Sequence, residues 1–487
     1  MTDPARKLRL TRFVALAFVG LVAACAPNLG PLPKFAPITN FATTRSFAVP
    51  KTSWPSDKWW LQFHDPELTT LITEGLKGAP DLEIAAARLR LATAAAEAAG
   101  AAELPSLNGT ASVMETKPNV NNGFPKSIKP YLPHSWHTEI STSLNFSYDL
   151  DFWGKNRAAL AAATSQEEAA AADVAEARLT LSTAIASSYA HLVELEADLR
   201  TQRRAVWVRE QSANLVESRV AHGLENQGPL AQARAEVAIA KGQLAQIKDE
   251  IARTRHQIAA LLGKGPDAGL AISPQKTVMP LAYGLPPALP ADLVGRRPDI
   301  VAARLEAEAA AHRIKVARAG FYPDINLSAE IGNESLDPRD FLDKGSIMGA
   351  VGPAIHLPIF EGGQLEGAYR GARARYEESV ATYDKTVSHA FEQVADALSD
   401  ARELSAEIAD ARVALKESRR AYQVAKIRYR GGLSRYLNVL TAENTVLQQQ
   451  RTLADLKSQA FLQNIALIRA LGGGFNVHAS TLASRKD

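Results

Sequence analysis

The sequence predicts a mainly α-helical chain with a small β part, built as an internal tandem duplication. Long stretches free of Gly and Pro are rich in Ala, Leu, Glu and Arg, a composition that favours helix. Two short stretches alternate between apolar and polar residues, the mark of two-faced strands. Landmark residues then recur at fixed offsets, as a duplicated architecture requires.

The N-terminus reads as a targeting segment. Arg6, Lys7, Arg9 and Arg12 precede an apolar run from Phe13 to Ala24 of about 12 residues, short of the roughly 20 that span a bilayer. Ala23 and Ala24 followed by Cys25, the only cysteine among 487 residues, resemble a bacterial lipobox, in which the cysteine is lipidated and becomes the first mature residue. That resemblance implies a triacylated Cys25, a firmer anchor than one acyl chain. The absence of Asp at position 26 implies sorting to the outer membrane. An ordinary signal peptide with an incidental cysteine is the other reading.

Lys+Arg 55 against Asp+Glu 52 is nearly balanced and argues against a nucleic-acid partner. Every later apolar run falls short of the roughly 18 residues of a membrane helix, so entry into a membrane requires strands. The ten histidines lack paired metal-ligand spacing, "GKGP" at 263 lacks the rest of a phosphate loop, and no G-x-S-x-G occurs. No enzyme and no cofactor beyond the lipid on Cys25 is expected. With 4 Met and 1 Cys, no soft-metal relay is visible either.

Neither Gly nor Pro stands between Gly154 and Gly223, about 68 residues that make a helix of roughly 100 Å if unbroken. A second long helix is expected from near Gln364 to Arg430, through Gly367 and Gly371. Shorter helices follow over Leu230 to Leu262 and Leu433 to Leu471, the latter with Leu433, Leu437, Leu440 and Leu447 as its packing seam. Gly154 and Gly363, Gly223 and Gly432, and Gly263 and Gly472 are each 209 residues apart, whereas Asp81 and Asp299, and Pro105 and Pro323, are 218 apart. Each copy therefore reads helix, strand pair, long helix, tip turn, shorter helix, and the first holds about nine extra residues between Pro105 and Gly154. The expected organisation is a signal peptide over 1–24, an extended lipid-anchored segment over 25–65, the first copy over 66–263, a Pro-rich connector over 264–290, the second copy over 291–472 and a polar tail over 473–487.

From Trp136 to Leu150 the even positions are mostly apolar (Ile140, Leu144, Phe146, Tyr148) and the odd ones polar; Ile325, Leu327, Ala329 and Ile331 alternate likewise with Asn326, Ser328 and Glu330. A half-buried sheet in a soluble domain has the same pattern. About four strands are available, whereas membrane barrels begin at about eight and leave no edge open to lipid. A membrane barrel would thus need several chains.

These residues resemble the outer membrane efflux protein (TolC) family, in its NodT-type lipoprotein branch serving resistance-nodulation-division pumps. The likeness is carried in order by Cys25, "WWLQFHDPELTTLI" (59–72), "PDLEIAAARLRLA" (80–92), "YDLDFWGK" (148–155), "LPADLVGRRPDIVAAR" (289–304), "FYPDINLSA" (321–329), "LPIFEGG" (357–363) and "ALGGGF" (470–475). The resemblance implies a homotrimer in which four strands per chain complete one outer-membrane β-barrel and the helices form one long α-helical periplasmic barrel. It also implies a periplasmic adaptor, an inner-membrane transporter and outer-membrane lipid as partners. On the family pattern the adaptor docks at the tip turns, onto Arg219, Gly223 and Leu224 in copy one and Arg428, Gly432 and Leu433 in copy two. Family members often carry an acidic ring early in the returning helix; Asn438 and Thr441 stand at those positions, so any pore constriction there is uncharged. The expected function is a passive exit duct for small molecules, with a type I protein-secretion duct and a poreless, lipid-anchored helical spacer as alternatives.

Overall fold

The computed structural model describes residues 27–117, 119, 125–131, 134–274, 284–286 and 289–476; Cys25 and the N-terminal targeting segment lie outside them. The main elements, in chain order, are α1 (Pro66–Gly78), α2 (Pro80–Ala101), β1 (Ser106–Thr116), β2 (His137–Asp149), α3 (Lys155–Ala221), α4 (Gln227–Leu261), α5 (Pro298–Ala319), β3 (Asp324–Ser335), β4 (Ile347–His356), α6 (Gln364–Arg430) and α7 (Tyr436–Ala470). The duplication is metrical. Helices α2 and α5 have 22 residues each, α3 and α6 have 67, and α4 and α7 have 35. The nine extra residues of copy one fall in its hairpin connection, 20 residues between β1 and β2 against 11 between β3 and β4.

The four strands form one antiparallel sheet in the order β1-β2-β3-β4. Its register pairs Leu144 with Gly109 and Ile331, Phe146 with Leu107 and Ala329, and Ala329 with Val351, so the alternation seen in each strand adds up across all four. One face is apolar through its middle, at Leu107, Leu144, Phe146, Ile331 and Val351, and turns polar toward the hairpin ends at Glu115, Thr138 and Asn333; the other carries Ser, Thr, Asn and acidic side chains on β1 to β3.

The chain divides into two compact units, each drawn from both copies. One gathers residues up to Lys34, Arg90–Ala169 and Arg304–Thr382; the other gathers Phe35–Leu89, Ala170–Ala303 and the chain from Tyr383 onward. In the first, the sheet is accompanied by a small core of Ile314, Phe321 and Tyr369, against which Leu29 packs. In the second, Trp59, Trp60 and Phe63 join Ile185, Tyr189, Leu192, Ile258 and Phe461, with Phe63 and Phe461 edge-to-face at 4.7 Å.

Local chemistry sets the helix ends. Asp65 caps α1 by accepting from the Leu68 amide at 3.1 Å, Pro66 takes the first turn, and the buried Tyr189 hydroxyl donates to the other Asp65 oxygen at 2.8 Å. The "RRPD" run has an architectural role that its sequence did not disclose. Arg297, 7% exposed, forks onto Asp299 at 2.6 and 3.0 Å and reaches Gln393 of α6 at 2.8 Å and the Ala470 carbonyl ending α7 at 3.2 Å. Pro298 opens α5 as expected. In "ALGGGF", a β-carbon at Gly472 would collide with the Arg296 carbonyl and one at Gly474 with the Ser56–Asp57 backbone, so only glycine fits.

The expected seam of α7 is corrected. Leu433 lies in the turn before the helix and Leu437 is exposed; the packed side is Tyr436, Val439, Leu440, Glu443 and Val446. Leucine spacing alone did not reveal which stripe faces the neighbouring helices.

Candidate functional site

The tip turns close both long helices with one device. At the end of α3 the Leu224 amide donates to the Arg219 carbonyl at 2.9 Å and the Gly223 amide to Val220 at 3.0 Å. At the end of α6 Leu433 donates to Arg428 at 2.8 Å and Gly432 to Tyr429 at 3.0 Å. This Schellman pairing needs a left-handed residue, supplied by Gly223 at φ 72° and Gly432 at φ 73°. The turn pushes the next side chain outward, leaving Leu224 64% and Leu433 73% exposed.

The two arginines at the tips differ. Arg219 lies 4.0 Å from Glu225 and stacks on the Tyr429 ring with its guanidinium carbon 4.9 Å from the centroid, so it braces the two turns. Burial, together with Glu225 nearby, pushes the Tyr429 hydroxyl pKa up. Arg428 is exposed. With Val424, Leu433, Arg435 and Asn438 it lines an open cleft of about 780 Å³ along α6 and the start of α7. Thr441 is exposed one turn beyond Asn438, its hydroxyl donating to the Leu437 carbonyl at 2.9 Å. The six tip residues and the Asn438–Thr441 pair thus belong to one end of the helical hairpins.

The sheet is the second candidate surface. Its apolar face is bare: Leu107, Val113, Leu144, Ile331, Val351 and Ile355 are all more than half exposed. A soluble protein would cover such a face, since contiguous exposed apolar surface of this kind marks lipid or a partner. The opposite face is knit by polar bonds, Thr110 to Ser143 at 2.9 Å, Asn145 to Ser143 at 2.9 Å and Asn326 to Ser147 at 2.9 Å. Among the described residues, β1 and β4 each keep one edge unpaired.

Aromatic side chains stand just beyond the strands, in "FWGK", "FYPD" and "PIF", outside the alternation that marks the strands themselves. Phe152 and Phe360 are 63% and 88% exposed, and Trp153 stacks on Tyr322 at 4.6 Å while its indole donates to the Pro323 carbonyl at 2.8 Å. Exposed rings at strand ends suit a membrane–water boundary.

The model of the outer membrane efflux protein family matches residues 71–264 and again 289–473, most of the chain. The chain belongs to the outer membrane efflux protein family. It is 36% identical over 382 residues to the fusaric acid resistance protein FusA of Burkholderia cepacia, covering 77% of this chain and 71% of that one. It is 31% identical over 346 residues to the multidrug resistance outer membrane protein MdtP of Escherichia coli K12, covering 68% and 70%. Among solved structures it is similar to the outer membrane protein VceC of Vibrio cholerae, with TM-score 0.81 and 42% identity over 87% of this chain and 100% of that one. The outer-membrane channel OprN gives TM-score 0.81 at 27% identity, covering 92% and 99%.

Members of the efflux-protein family are channels, not enzymes, and carry no cofactor. Among the described residues no helix is long and apolar enough to cross a membrane.

Proposed function

We propose that three copies of the chain assemble into the passive exit duct of a tripartite efflux pump, carrying small toxic molecules from an inner-membrane transporter and its adaptor to the exterior. One observation carries the reading: a four-stranded sheet with a bare apolar face, a polar face and two open edges. Such a sheet is stable in lipid only when other copies continue it into a closed barrel, and twelve strands from three chains suffice. A poreless spacer has no use for that sheet, which disfavours the alternative.

The tips are the proposed adaptor surface. Leu224, Leu433 and Arg428 are exposed to make contact, Gly223 and Gly432 set the turn, and Arg219 holds its shape. The relatives named for multidrug and fusaric acid resistance favour small-molecule efflux over protein secretion, and the proposed transporter is of the resistance-nodulation-division class. Asn438 and Thr441 form the proposed constriction, uncharged and therefore weakly blocked by cations. Lipidation of Cys25 fits the path of the N-terminal segment: Arg373 donates to the Leu29 and Pro31 carbonyls, each at 3.2 Å, and Leu29 packs beside Phe321, just before β3.

The test is conductance of the purified full-length chain in planar bilayers, combined with its native mass. Trimers giving discrete channel events are expected; a folded chain without channel events at any voltage refutes the duct. Photocrosslinking in cells from Leu433 then identifies the machine. Capture of an adaptor from a resistance-nodulation-division pump is expected, and capture of a secretion-type adaptor moves the role to protein export.

A further inference from the structure

Within the second compact unit, helices α3 and α7 join copy one to copy two, and ionisable groups line their seam. Arg209 of α3 donates to Asn444 of α7 at 2.7 Å and to the Glu236 carbonyl of α4 at 3.2 Å, with the Glu236 carboxylate 3.3 Å away. Its remaining nitrogen, Nε, faces the Glu443 carboxylate at 3.7 Å, beyond hydrogen-bond reach. Both atoms are buried without a hydrogen-bond partner, and Glu443 is only 4% exposed. Also facing Glu443 are Lys426 and Tyr422 of α6 and Tyr436 of α7. Farther along α3, Gln202 accepts from Arg451 at 2.6 Å. Next comes Asp198, which faces Asp455 and Arg451 of α7, Glu194 of α3 and Glu250 of α4, and whose Oδ1 is buried without a partner.

Around the buried carboxyls of Glu443 and Asp198 stand Glu194, Glu236, Glu250 and Asp455 against Arg209, Arg451 and Lys426, with His191 beside Glu194 at 3.3 Å and Arg200 and Lys457 on the same cavity wall as Glu194. We propose that the α3–α7 seam is a proton-linked clasp between the two copies, taking up protons as it packs and releasing them as α7 parts from α3. Acid then holds the helical hairpins together near the tips, and rising pH frees them. What the parting does for transport rests on the channel reading above; the parting itself is directly measurable.

The sign follows from linkage. Burial pushes the Glu443 carboxyl up to about 7, and burial reinforced by Asp455 and Glu194 pushes Asp198 up to about 6. Asp455 is raised for the same reasons, burial and then Glu194. A carboxyl that holds its proton more tightly when packed than in water favours packing fully in acid. That advantage is lost as pH rises from the ordinary carboxylate range toward 7.

The experiment is amide hydrogen exchange on the full-length chain in lipid nanodiscs at about pH 5.5 and about pH 8, corrected for intrinsic rates, read over 436–457. Opening on the order of ten-fold greater at the higher pH is expected for the unaltered chain. The double variant Glu443→Gln, Asp198→Asn should show less than about two-fold change, and Asp455→Asn a reduced one. Equal protection at both pH values in the unaltered chain overturns the clasp, as does a full pH response surviving in the double variant. Conductance of the same protein in planar bilayers separates the two readings: a chain whose exchange responds to pH but which never conducts keeps the clasp and loses the duct.

Discussion

Replacing Leu144 by arginine tests which side of the sheet meets lipid. Leu144 lies near the middle of β2, is 51% exposed, and is flanked in register by Gly109 of β1 and Ile331 of β3. If this face lines the bilayer core, the guanidinium sits near the midplane and costs about 2–4 kcal/mol per chain. Three chains around one barrel multiply that to roughly 6–12 kcal/mol per assembly, comparable with the whole stability of an ordinary domain. Ser141→Arg is the control. Three residues before Leu144 on the same strand, Ser141 belongs to the polar face and pairs with Ser112 and Glu334. In a water-filled lumen its arginine stays hydrated beside a carboxylate and costs about 1 kcal/mol or less. The assay is denaturant titration of each variant folded into lipid vesicles, with heat-stable trimer on gels as a second readout. Leu144→Arg should lose trimer and shift the midpoint strongly, while Ser141→Arg stays near the parent. Equal tolerance of both, or greater sensitivity at Ser141, refutes the assignment of faces.

Three other substitutions test the framework. Asp65→Ala removes the cap of α1 and strands the buried Tyr189 hydroxyl, for a loss of about 2–4 kcal/mol in thermal or denaturant unfolding; adding Tyr189→Phe should recover part of it. Arg297→Ala breaks contacts that join the start of α5 to α6 and the end of α7, at about 3–5 kcal/mol. Arg297→Lys should rescue little, because an ammonium cannot fork onto Asp299 while reaching Gln393 and Ala470. Gly432→Ala forces a β-carbon into the left-handed region, at about 1–2 kcal/mol confined to the tip; adaptor affinity should fall while trimer stability stays unchanged.

Several features could be read from the chain itself because their causes are local. A helix free of Gly and Pro continues until a residue able to take positive φ ends it, so Gly223 and Gly432 marked the tips before any packing was known. Alternation at period two divided the strand residues into two faces because successive side chains point to opposite sides of a sheet. The common offset of 209 exposed the duplication, and equal helix lengths followed from it. Lateral packing, by contrast, brings together residues with no local relation. Arg209 and Asn444 are 235 positions apart, and nothing periodic in either helix encodes their meeting. The same holds for Arg297, whose partners belong to three separate segments, and for Arg219, which braces the tip whereas its counterpart Arg428 lies exposed. Leu433 and Leu437 fit a helical stripe yet face outward. Which stripe of a helix is buried depends on the helices beside it, and their placement is a property of the whole fold.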